Sequence, residues 1–178
     1  QASDIDSYLM SLEMTMTLGE FDQAGRARVT QLVNKSNQFN LTTRRYSEVD
    51  IKNFEEDARF FTRQIRLSDT FGDNGMISVV ICKRDHDCWE IDTWLMSCRV
   101  LGRKVELAVL QDIISNAKES GASSLRGLYI PTERNVIVKD HYLNLGFSKT
   151  SDESTIETWS LEIDKYEAPG TPITIIRK

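Results

Sequence analysis

The sequence predicts a single α/β domain over residues 1–178, with a mixed, mostly antiparallel sheet and helices on both of its faces. Three observations lead to this class. The chain has 178 residues, of which 40% are hydrophobic and 28% charged, the size and balance of one globular domain. Several strand-like segments follow one another through short turns, as antiparallel neighbours do. Farther along, a helix joins two strands, and a crossover of that kind makes the two strands parallel.

The first fifty residues are predicted to contain two helices, one strand and the start of a third helix. A short helix over Asp4–Leu12 leads into the alternating segment Glu13–Leu18, which indicates a strand. Phe21–Asn37 carries its apolar residues on one stripe and is predicted to be an amphipathic helix. Ser47, followed three residues later by Asp50, is close to a capping box and marks the start of the next helix.

The middle of the chain contains three strand signals, at Arg59–Ser68, Met76–Lys83 and Cys88–Arg99. The step Asn74-Gly75 between the first two is a strong hairpin-turn signal. We therefore expect these strands to be antiparallel neighbours in the sheet.

The last third of the chain is predicted to alternate helices and strands. The helix over Lys104–Glu119 stops at Gly121, which suits a left-handed C-cap. The remaining predicted elements are a strand at Leu125–Ile130, a helix at Asn135–Leu145, and strands around Phe147–Thr150 and Thr155–Ile163. A mixed sheet of about six or seven strands results, and such a sheet tends to part at its parallel pair, where a ligand can enter.

Composition and charge exclude several classes of protein. The net charge of −5 disfavours a general nucleic-acid binder, which needs a basic surface. No apolar run reaches the roughly 18 residues of a membrane span, and a signal-peptide pattern is absent. The three cysteines, Cys82, Cys88 and Cys98, have neither the even number of a disulfide framework nor the spacing of a zinc cluster. We expect a cytoplasmic protein that binds neither nucleic acid nor membrane and has no metal site.

A basic segment joins a predicted strand to the helix that follows it; its residues are Arg99, Val100, Leu101, Gly102, Arg103 and Lys104. The free N–H groups of a first helical turn attract anions, and a glycine lets the backbone approach them closely. The segment is therefore predicted to bind a phosphate or pyrophosphate. The alternative is a basic helix start on the surface, although cations are disfavoured at that end of a helix.

Two motifs, in order along the chain, resemble the GNAT acyltransferase superfamily. The pyrophosphate loop of that superfamily has the pattern Arg/Gln-x-x-Gly-x-Gly/Ala, which Arg99 and Gly102 match, while Lys104 stands in the last place. Its next motif is an Asn, a short helix and Tyr-x-x-Leu-Gly-Phe, matched by Asn135 and Tyr142–Phe147. The resemblance implies the GNAT fold and places Asn135 among the cofactor-binding residues.

A closer resemblance covers nearly the whole chain. The segments Gln31–Tyr46, Phe71–Gly75 and Ile91–Arg103 look like the C-terminal half of FkbH-like proteins of polyketide biosynthesis. In that family a haloacid-dehalogenase-like (HAD) domain precedes a GNAT-like domain, and a glyceryl unit is loaded as a thioester on an acyl carrier protein. The resemblance implies a small-molecule acyl donor and the phosphopantetheine of a carrier protein, or coenzyme A, as cofactor. It also makes residues 1–12 a linker helix from an N-terminal HAD-like domain.

Two residues are candidates for catalysis. Tyr142 has the place that the GNAT pattern gives to a general acid, and the alternative is a tyrosine that packs the last helix on the sheet. Cys98 is a candidate nucleophile because Arg99 and a helix N-terminus favour a thiolate. Against Cys98, free cysteines are commonly buried and inert, and the GNAT resemblance puts this position near the pyrophosphate loop rather than the scissile carbonyl. The histidines, His86 and His141, are expected to be solvated.

An amide- and hydroxyl-rich stretch lies between the second and third predicted helices, in the region that covers the acceptor site in GNAT folds. The candidate substrate-binding residues in it are Asn37, Gln38, Asn40, Thr42, Arg44 and Arg45. Such side chains bind hydroxyl groups, and an arginine binds a phosphate or carboxylate. The alternative is a hydrogen-bonded loop whose residues cap the flanking helices.

Three functions remain open at this point. The first is an acyltransferase domain that handles a glyceryl or related hydroxyacyl unit destined for the phosphopantetheine thiol of an acyl carrier protein. The second is a CoA-dependent GNAT N-acetyltransferase, which needs a base or water relay for an amine; no glutamate stands out for that role. The third is a non-catalytic module that docks the carrier protein.

Overall fold

A computed structural model describes residues 2–151 and 155–178 of the chain. The helices in this part are α1 (Ala2–Ser11), α2 (Arg26–Lys35), α3 (Glu48–Glu56), α4 (Val105–Glu119) and α5 (His141–Asn144). The strands are β1 (Thr15–Gly19), β2 (Phe60–Asp69), β3 (Gly72–Asp85), β4 (Cys88–Met96), β5 (Ser124–Tyr129), β6 (Ser148–Ser151), β7 (Glu157–Glu162) and β8 (Thr174–Arg177). Short 3₁₀ turns lie at Cys98–Val100, Val136–Val138 and Ile163–Lys165.

These strands form one sheet in the order β6-β7-β5-β4-β3-β2-β1-β8. Two neighbouring pairs are parallel, β4 with β5 and β1 with β8, and the other pairs are antiparallel. The mixed, mostly antiparallel sheet predicted from the sequence is therefore confirmed. The sequence does not predict β8, because Thr174–Arg177 is a short segment in a proline-containing tail; it becomes a strand by pairing beside Thr15–Leu18.

Helices cover both faces of the sheet, and the alternation of side chains along β3 separates two apolar layers. Val79 points to the face covered by α2 and α3, where it packs with Val33 and Ile51. Val80 points to the opposite face, where it belongs to the cluster that contains Val109 of α4. This arrangement places α2 and α4 on opposite sides of β4.

Helix α1 packs on the face that α4 covers. Leu9 and Leu12 are buried in that layer, and the Thr70 N–H donates a hydrogen bond to the Leu12 carbonyl over 2.9 Å. The helix that the resemblance makes a linker is thus packed against the sheet. A preceding HAD-like domain stays a prediction.

Two boundary signals in the sequence are confirmed. Ser47 Oγ accepts a hydrogen bond from the Asp50 N–H over 3.1 Å, and the Asp50 carboxylate accepts one from the Ser47 N–H over 2.9 Å, which together form the capping box of α3. Gly121 follows α4 with a φ of +89°, in the left-handed conformation that commonly ends a helix.

The β2–β3 hairpin turns earlier along the chain than the sequence indicates. Asp69 pairs with Gly72, so the turn residues are Thr70-Phe71. Asn74-Gly75 lies inside β3, where the register shifts and Gly75 has a φ of +72°. The Asn-Gly step therefore marks a β-bulge, which uses the same left-handed conformation as a tight turn.

The single helix predicted over Asn135–Leu145 is wrong. The chain forms a 3₁₀ turn at Val136–Val138 and then the separate short helix α5. Three successive β-branched residues at 136–138 explain the break, because such side chains are restricted in a helix. The break also turns His141 inward, so the expectation that His141 is solvated is wrong as well.

Candidate functional site

Strands β4 and β5 pair at their first residues and then part. Cys88–Ile91 pairs with Ser124–Gly127, and this register marks the extent of their ladder in the described residues. The segment Phe39–Thr42, called the strap below, lies in the gap that opens beyond it. All four strap residues are buried.

The strap is hydrogen-bonded on both sides of the gap. Toward β4, the Leu41 N–H donates to the Trp94 carbonyl over 3.1 Å, and the Met96 N–H donates to the Phe39 carbonyl over 3.0 Å. Toward β5, the N–H of Ile130 donates to the Leu41 carbonyl over 2.8 Å. The opening that the sequence predicts at the parallel pair is therefore filled by the chain itself, because the strap pairs with the backbone groups left free where the strands part.

Asn135, a predicted cofactor-binding residue, holds the strap in place. Its side chain is fully buried, and its Nδ2 donates to the carbonyls of Asn40, over 3.0 Å, and Ile130, over 2.9 Å. Its Oδ1 accepts a hydrogen bond from the Thr132 N–H over 2.7 Å. All three hydrogen bonds are made within the protein, so in this structure the Asn135 side chain fixes the position of the strap.

Most of the predicted substrate-binding residues are also engaged within the protein. Asn40 Oδ1 accepts a hydrogen bond from the Thr43 N–H over 2.9 Å, and Thr42 Oγ1 donates to the Asp92 carbonyl over 2.9 Å. Arg44 pairs with the Asp92 carboxylate. Arg45 donates to the carbonyls at the end of α2, those of Val33 and Ser36, over 2.6 and 2.9 Å, and to the side chain of Asn37. These contacts agree with the alternative interpretation, in which the stretch is a hydrogen-bonded loop that caps a helix.

Asn37 and Gln38 border a cavity of about 630 Å³ beside the end of β4, called the Cys98 pocket below. Asn37 is also held within the protein, because its Oδ1 accepts a hydrogen bond from Arg45 and its Nδ2 donates to the Lys35 carbonyl over 3.3 Å. Cys98 is exposed there, and its thiol lies 3.4 Å from Gln38 Oε1. The other thiols differ: Cys82 is buried, which raises its pKa well above the usual range, and Cys88 is half-buried. The structure thus brings the predicted nucleophile together with two of the predicted substrate-binding residues.

The Cys98 pocket is also lined by four cations and one carboxylate, which are Arg28, Lys35, Arg99, Arg134 and Glu133. Sequence reasoning had named only Arg99 among them. The spacing of Arg28, Leu32 and Lys35 predicts that they share one face of α2, and all three line the pocket. That this face points to Cys98 depends on how α2 packs across the sheet, which helical spacing does not contain.

The predicted anion loop, Arg99–Lys104, has its two last cations paired with carboxylates. Arg103 lies 2.7 Å from Asp69, whose side chain is only 4% exposed, and Lys104 lies 3.0 Å from Asp6 of α1. Burial alone would raise the pKa of Asp69, but hydrogen bonds from the Phe71 N–H, Asn74 and Arg103 hold that pKa below its usual value. Whether the loop binds an anion stays a prediction.

Lys104, where the GNAT pattern has Gly or Ala, precedes α4 with a φ of +65°. Glycine adopts this left-handed conformation at less cost than lysine. No side chain in residues 2–151 and 155–178 caps the start of α4, so its first N–H groups have no side-chain acceptor there.

A second cavity, of about 280 Å³, lies next to this end of α4, and Gly102, Phe39 and His141 are among its lining residues. Phe39 lines both cavities, so the strap separates them. His141 packs edge-to-face against Phe39 and Trp94, with ring centroids 5.3 and 4.4 Å away. Burial lowers the pKa of His141 to about 3, which keeps the ring neutral, and its Nε2 is buried without a hydrogen-bond partner in the described part of the chain.

Tyr142 lies inside the protein, and its side chain is 1% exposed. Its ring stacks so closely on β5 that a Cβ added at Gly127 would lie 2.5 Å from it. Burial raises the pKa of the phenol well above its usual value, although the Leu128 N–H acts in the opposite direction. Among the described residues, its hydroxyl has no hydrogen-bond partner of normal geometry. These contacts favour the packing alternative, and the role of general acid stays a prediction.

In residues 2–151 and 155–178, no group of three or more His, Cys, Asp or Glu side chains is arranged to hold a metal ion. The helices in the same part of the chain are too short or too polar to cross a membrane.

Solved structures with the same architecture are numerous, and their sequences are distant. The ribosomal-protein-S18-alanine N-acetyltransferase from Escherichia coli is 12% identical, with a TM-score of 0.60 over 84% of this chain and 94% of that one. The GNAT domain of S. lividans PAT is 14% identical, with a TM-score of 0.62 over 82% and 89%. The spermidine N-acetyltransferase from Vibrio cholerae, solved with CoA and spermine, is 11% identical, with a TM-score of 0.61 over 85% and 97%.

No protein-family model matches the sequence, and no curated protein sequence matches it either. At these identities the likeness to solved structures concerns the fold. The chain has the GNAT fold, as its two motifs predict.

Proposed function

We propose that this chain is an acyltransferase domain that handles a glyceryl or related hydroxyacyl unit destined for the phosphopantetheine thiol of an acyl carrier protein. The observation that carries the proposal is the exposed Cys98 thiol in a large polar pocket of a GNAT fold. Gln38 supplies an amide group beside it, which suits the hydroxyl groups of such a unit.

The arrangement supports transfer in two steps through a protein thioester. In the first step, the Cys98 sulfur attacks the acyl carbon of an activated donor, a C–S bond forms, the bond to the donor's leaving group breaks, and the thiol proton passes to solvent. In the second step, the carrier thiol gives its proton to solvent and attacks the same carbon, the bond to Cys98 breaks with the electron pair returning to sulfur, and Cys98 regains a proton from solvent. No atom changes oxidation state overall, so the reaction needs no redox partner.

Intact-mass spectrometry tests this route. The chain is incubated with the glyceryl thioester of N-acetylcysteamine and then with a holo acyl carrier protein. We expect one glyceryl unit on the chain, removable by hydroxylamine, and its later appearance on the carrier. Cys98→Ala should gain none, whereas Cys88→Ala, a matched change at a half-buried thiol, should behave like the wild type.

The outcomes separate the remaining mechanisms. If Cys98→Ala loads the carrier at the wild-type rate, transfer is direct and the thioester route is wrong. If the wild-type chain gains no adduct and the carrier gains no acyl unit, the acyltransferase proposal itself is overturned. A wild-type chain that binds the carrier without loading it would support the docking module instead.

A CoA-dependent N-acetyltransferase is the second candidate, because one specific feature favours it. The uncapped start of α4 borders the cavity beside Gly102, and a helix N-terminus attracts phosphate groups. The spermidine N-acetyltransferase named above was solved with CoA. Release of CoA from acetyl-CoA in the presence of amines, without any loading of a carrier protein, would favour this candidate.

A further inference from the structure

We propose that the Cys98 pocket binds the phosphate group of an organic phosphate ester, through Lys35 and Arg134 with Arg28 and Arg99 around them. This inference rests on the proposed function, since it names the chemical class of the molecule that the same pocket takes. The phosphate belongs either to a small hydroxyacid-type ester or to a phosphopantetheine arm. Both sources present the same chemistry to the pocket.

The charge of the pocket is the first argument. Four of the five ionisable side chains other than Cys98 that line it are positive, and Glu133 alone is negative, in a protein whose net charge is −5. Such a concentration of one sign in a concave site raises the local concentration of ligands with the opposite charge. An anionic ligand is therefore expected in this cavity.

The second argument is what these cations contact. Arg28 donates to the neutral Gln31 side chain, and Arg99 donates to Ser97 Oγ and to the Asn74 carbonyl. Within residues 2–151 and 155–178, neither these two nor Lys35 and Arg134 form an ion pair with a carboxylate. Their charge is thus available to a ligand, whereas Arg103 and Lys104 in the neighbouring loop are already paired.

The third argument is the way into the pocket. The strap closes the gap between β4 and β5, and Phe39 forms part of the wall between the two cavities. A ligand reaches Cys98 from the side of α2, and there it meets Lys35 at the C-terminal end of that helix and Arg134 in the loop after β5. A phosphate held by these two cations places the rest of the molecule in the pocket that Cys98 shares.

Calorimetry with two matched pairs of ligands tests the inference: glycerol 3-phosphate against glycerol, and 4′-phosphopantetheine against pantetheine. We expect the phosphorylated member of at least one pair to bind more tightly, with an affinity that falls as salt is added. Lys35→Gln and Arg134→Gln should each weaken that binding about fivefold, and the double variant should weaken it more than either single change. Lys52→Gln, at an exposed position of α3, is the matched control and should bind like the wild type.

Each result has one meaning. A preference in the first pair identifies a small ester as the source of the phosphate, and a preference in the second identifies the carrier arm. If neither phosphorylated ligand is preferred, or if the double variant binds like the wild type, the inference is overturned. A loss with Lys52→Gln as large as with Lys35→Gln would also overturn it, because the effect would then reflect net charge.

The binding of phosphate and the transfer of the acyl unit can be tested independently of each other. Phosphate binding measured on Cys98→Ala needs no acyl chemistry, so a normal preference there, together with no adduct on the wild type, contradicts the proposed function and leaves the phosphate site standing. An adduct on Cys98 without any preference for phosphorylated ligands contradicts the phosphate site and leaves the proposed function standing.

Discussion

Two groups of basic side chains lie near the end of β4, and they differ in what they contact. In the loop, Arg103 and Lys104 are paired with Asp69 and Asp6, and α1 supplies one of these carboxylates. In the Cys98 pocket, Lys35 and Arg134 face a cavity without such partners among the described residues. One group stabilises contacts between parts of the fold, and the other leaves a positive potential that a ligand can use.

Closeness of cations along the chain is therefore a weak indicator of an anion site. The loop concentrates its cations within six residues, whereas the cations of the pocket come from α2, from the end of β4 and from the loop after β5. A carboxylate reached only through folding neutralises a cluster that looks basic in sequence. The same folding assembles another cluster from residues far apart in the chain.

The strap separates the Cys98 pocket from the cavity beside the start of α4, and removing its anchor should have the largest effect on stability. Asn135→Ala leaves the Asn40 and Ile130 carbonyls and the Thr132 N–H without their partner. We expect a loss of about 3 kcal/mol in the free energy of unfolding, measured with urea. Asn53→Ala, at an exposed amide on α3, should cost less than about 0.5 kcal/mol. Equal losses in both variants would show that the strap is not held by Asn135.

A smaller effect is expected in the loop, and it should be confined to stability. Arg103→Gln removes the charge that faces the largely buried Asp69 carboxylate, so the free energy of unfolding at pH 7 should fall by about 1–2 kcal/mol. The affinity for glycerol 3-phosphate should stay the same. If this variant instead weakens phosphate binding as much as Lys35→Gln does, the distinction between the two groups is wrong.

The dependence on pH provides the control for Arg103→Gln. The pKa of Asp69 is lowered in the folded state, so the stability that its charge contributes is present above the unfolded pKa and is lost as the pH falls through the folded value. The difference between the wild type and Arg103→Gln should therefore shrink in acid. A difference that stays constant down to full protonation would assign the effect to packing of the arginine chain.

The smallest effect is expected at Tyr142, on the α4 face of the sheet. Because its hydroxyl is buried and makes no hydrogen bond of normal geometry, Tyr142→Phe should leave the rate of carrier loading within about twofold of the wild type. A general acid would show a loss of about 100-fold or more in the same single-turnover assay. That larger loss would place the reaction on the α4 side of the strap and would contradict the assignment of the reaction to the Cys98 pocket.

Much of the fold follows from local signals in the sequence. The capping box at Ser47 and the glycine after α4 predict their helix boundaries, because caps depend on a few neighbouring residues. The sequence-based predictions are wrong where one local signal suits two backbone geometries, or where a strand forms only by pairing with a segment remote in the chain. Asn74-Gly75 suits a bulge as well as a turn, and β8 becomes a strand only through its pairing with β1.

In the candidate site, too, some features are predicted from local sequence and others depend on contacts between remote residues. The two motifs indicate the GNAT fold through their resemblance to that superfamily, and the order of residues along the chain predicts the loop before α4 and the cysteine after β4. Three features depend on tertiary contacts: the strap fills the gap between the parted strands, Tyr142 and His141 are buried, and Arg28, Lys35 and Arg134 line the same pocket as Cys98. These features cannot be predicted from local sequence because burial and charge pairing depend on partners far apart in the chain, which packing across the sheet brings together.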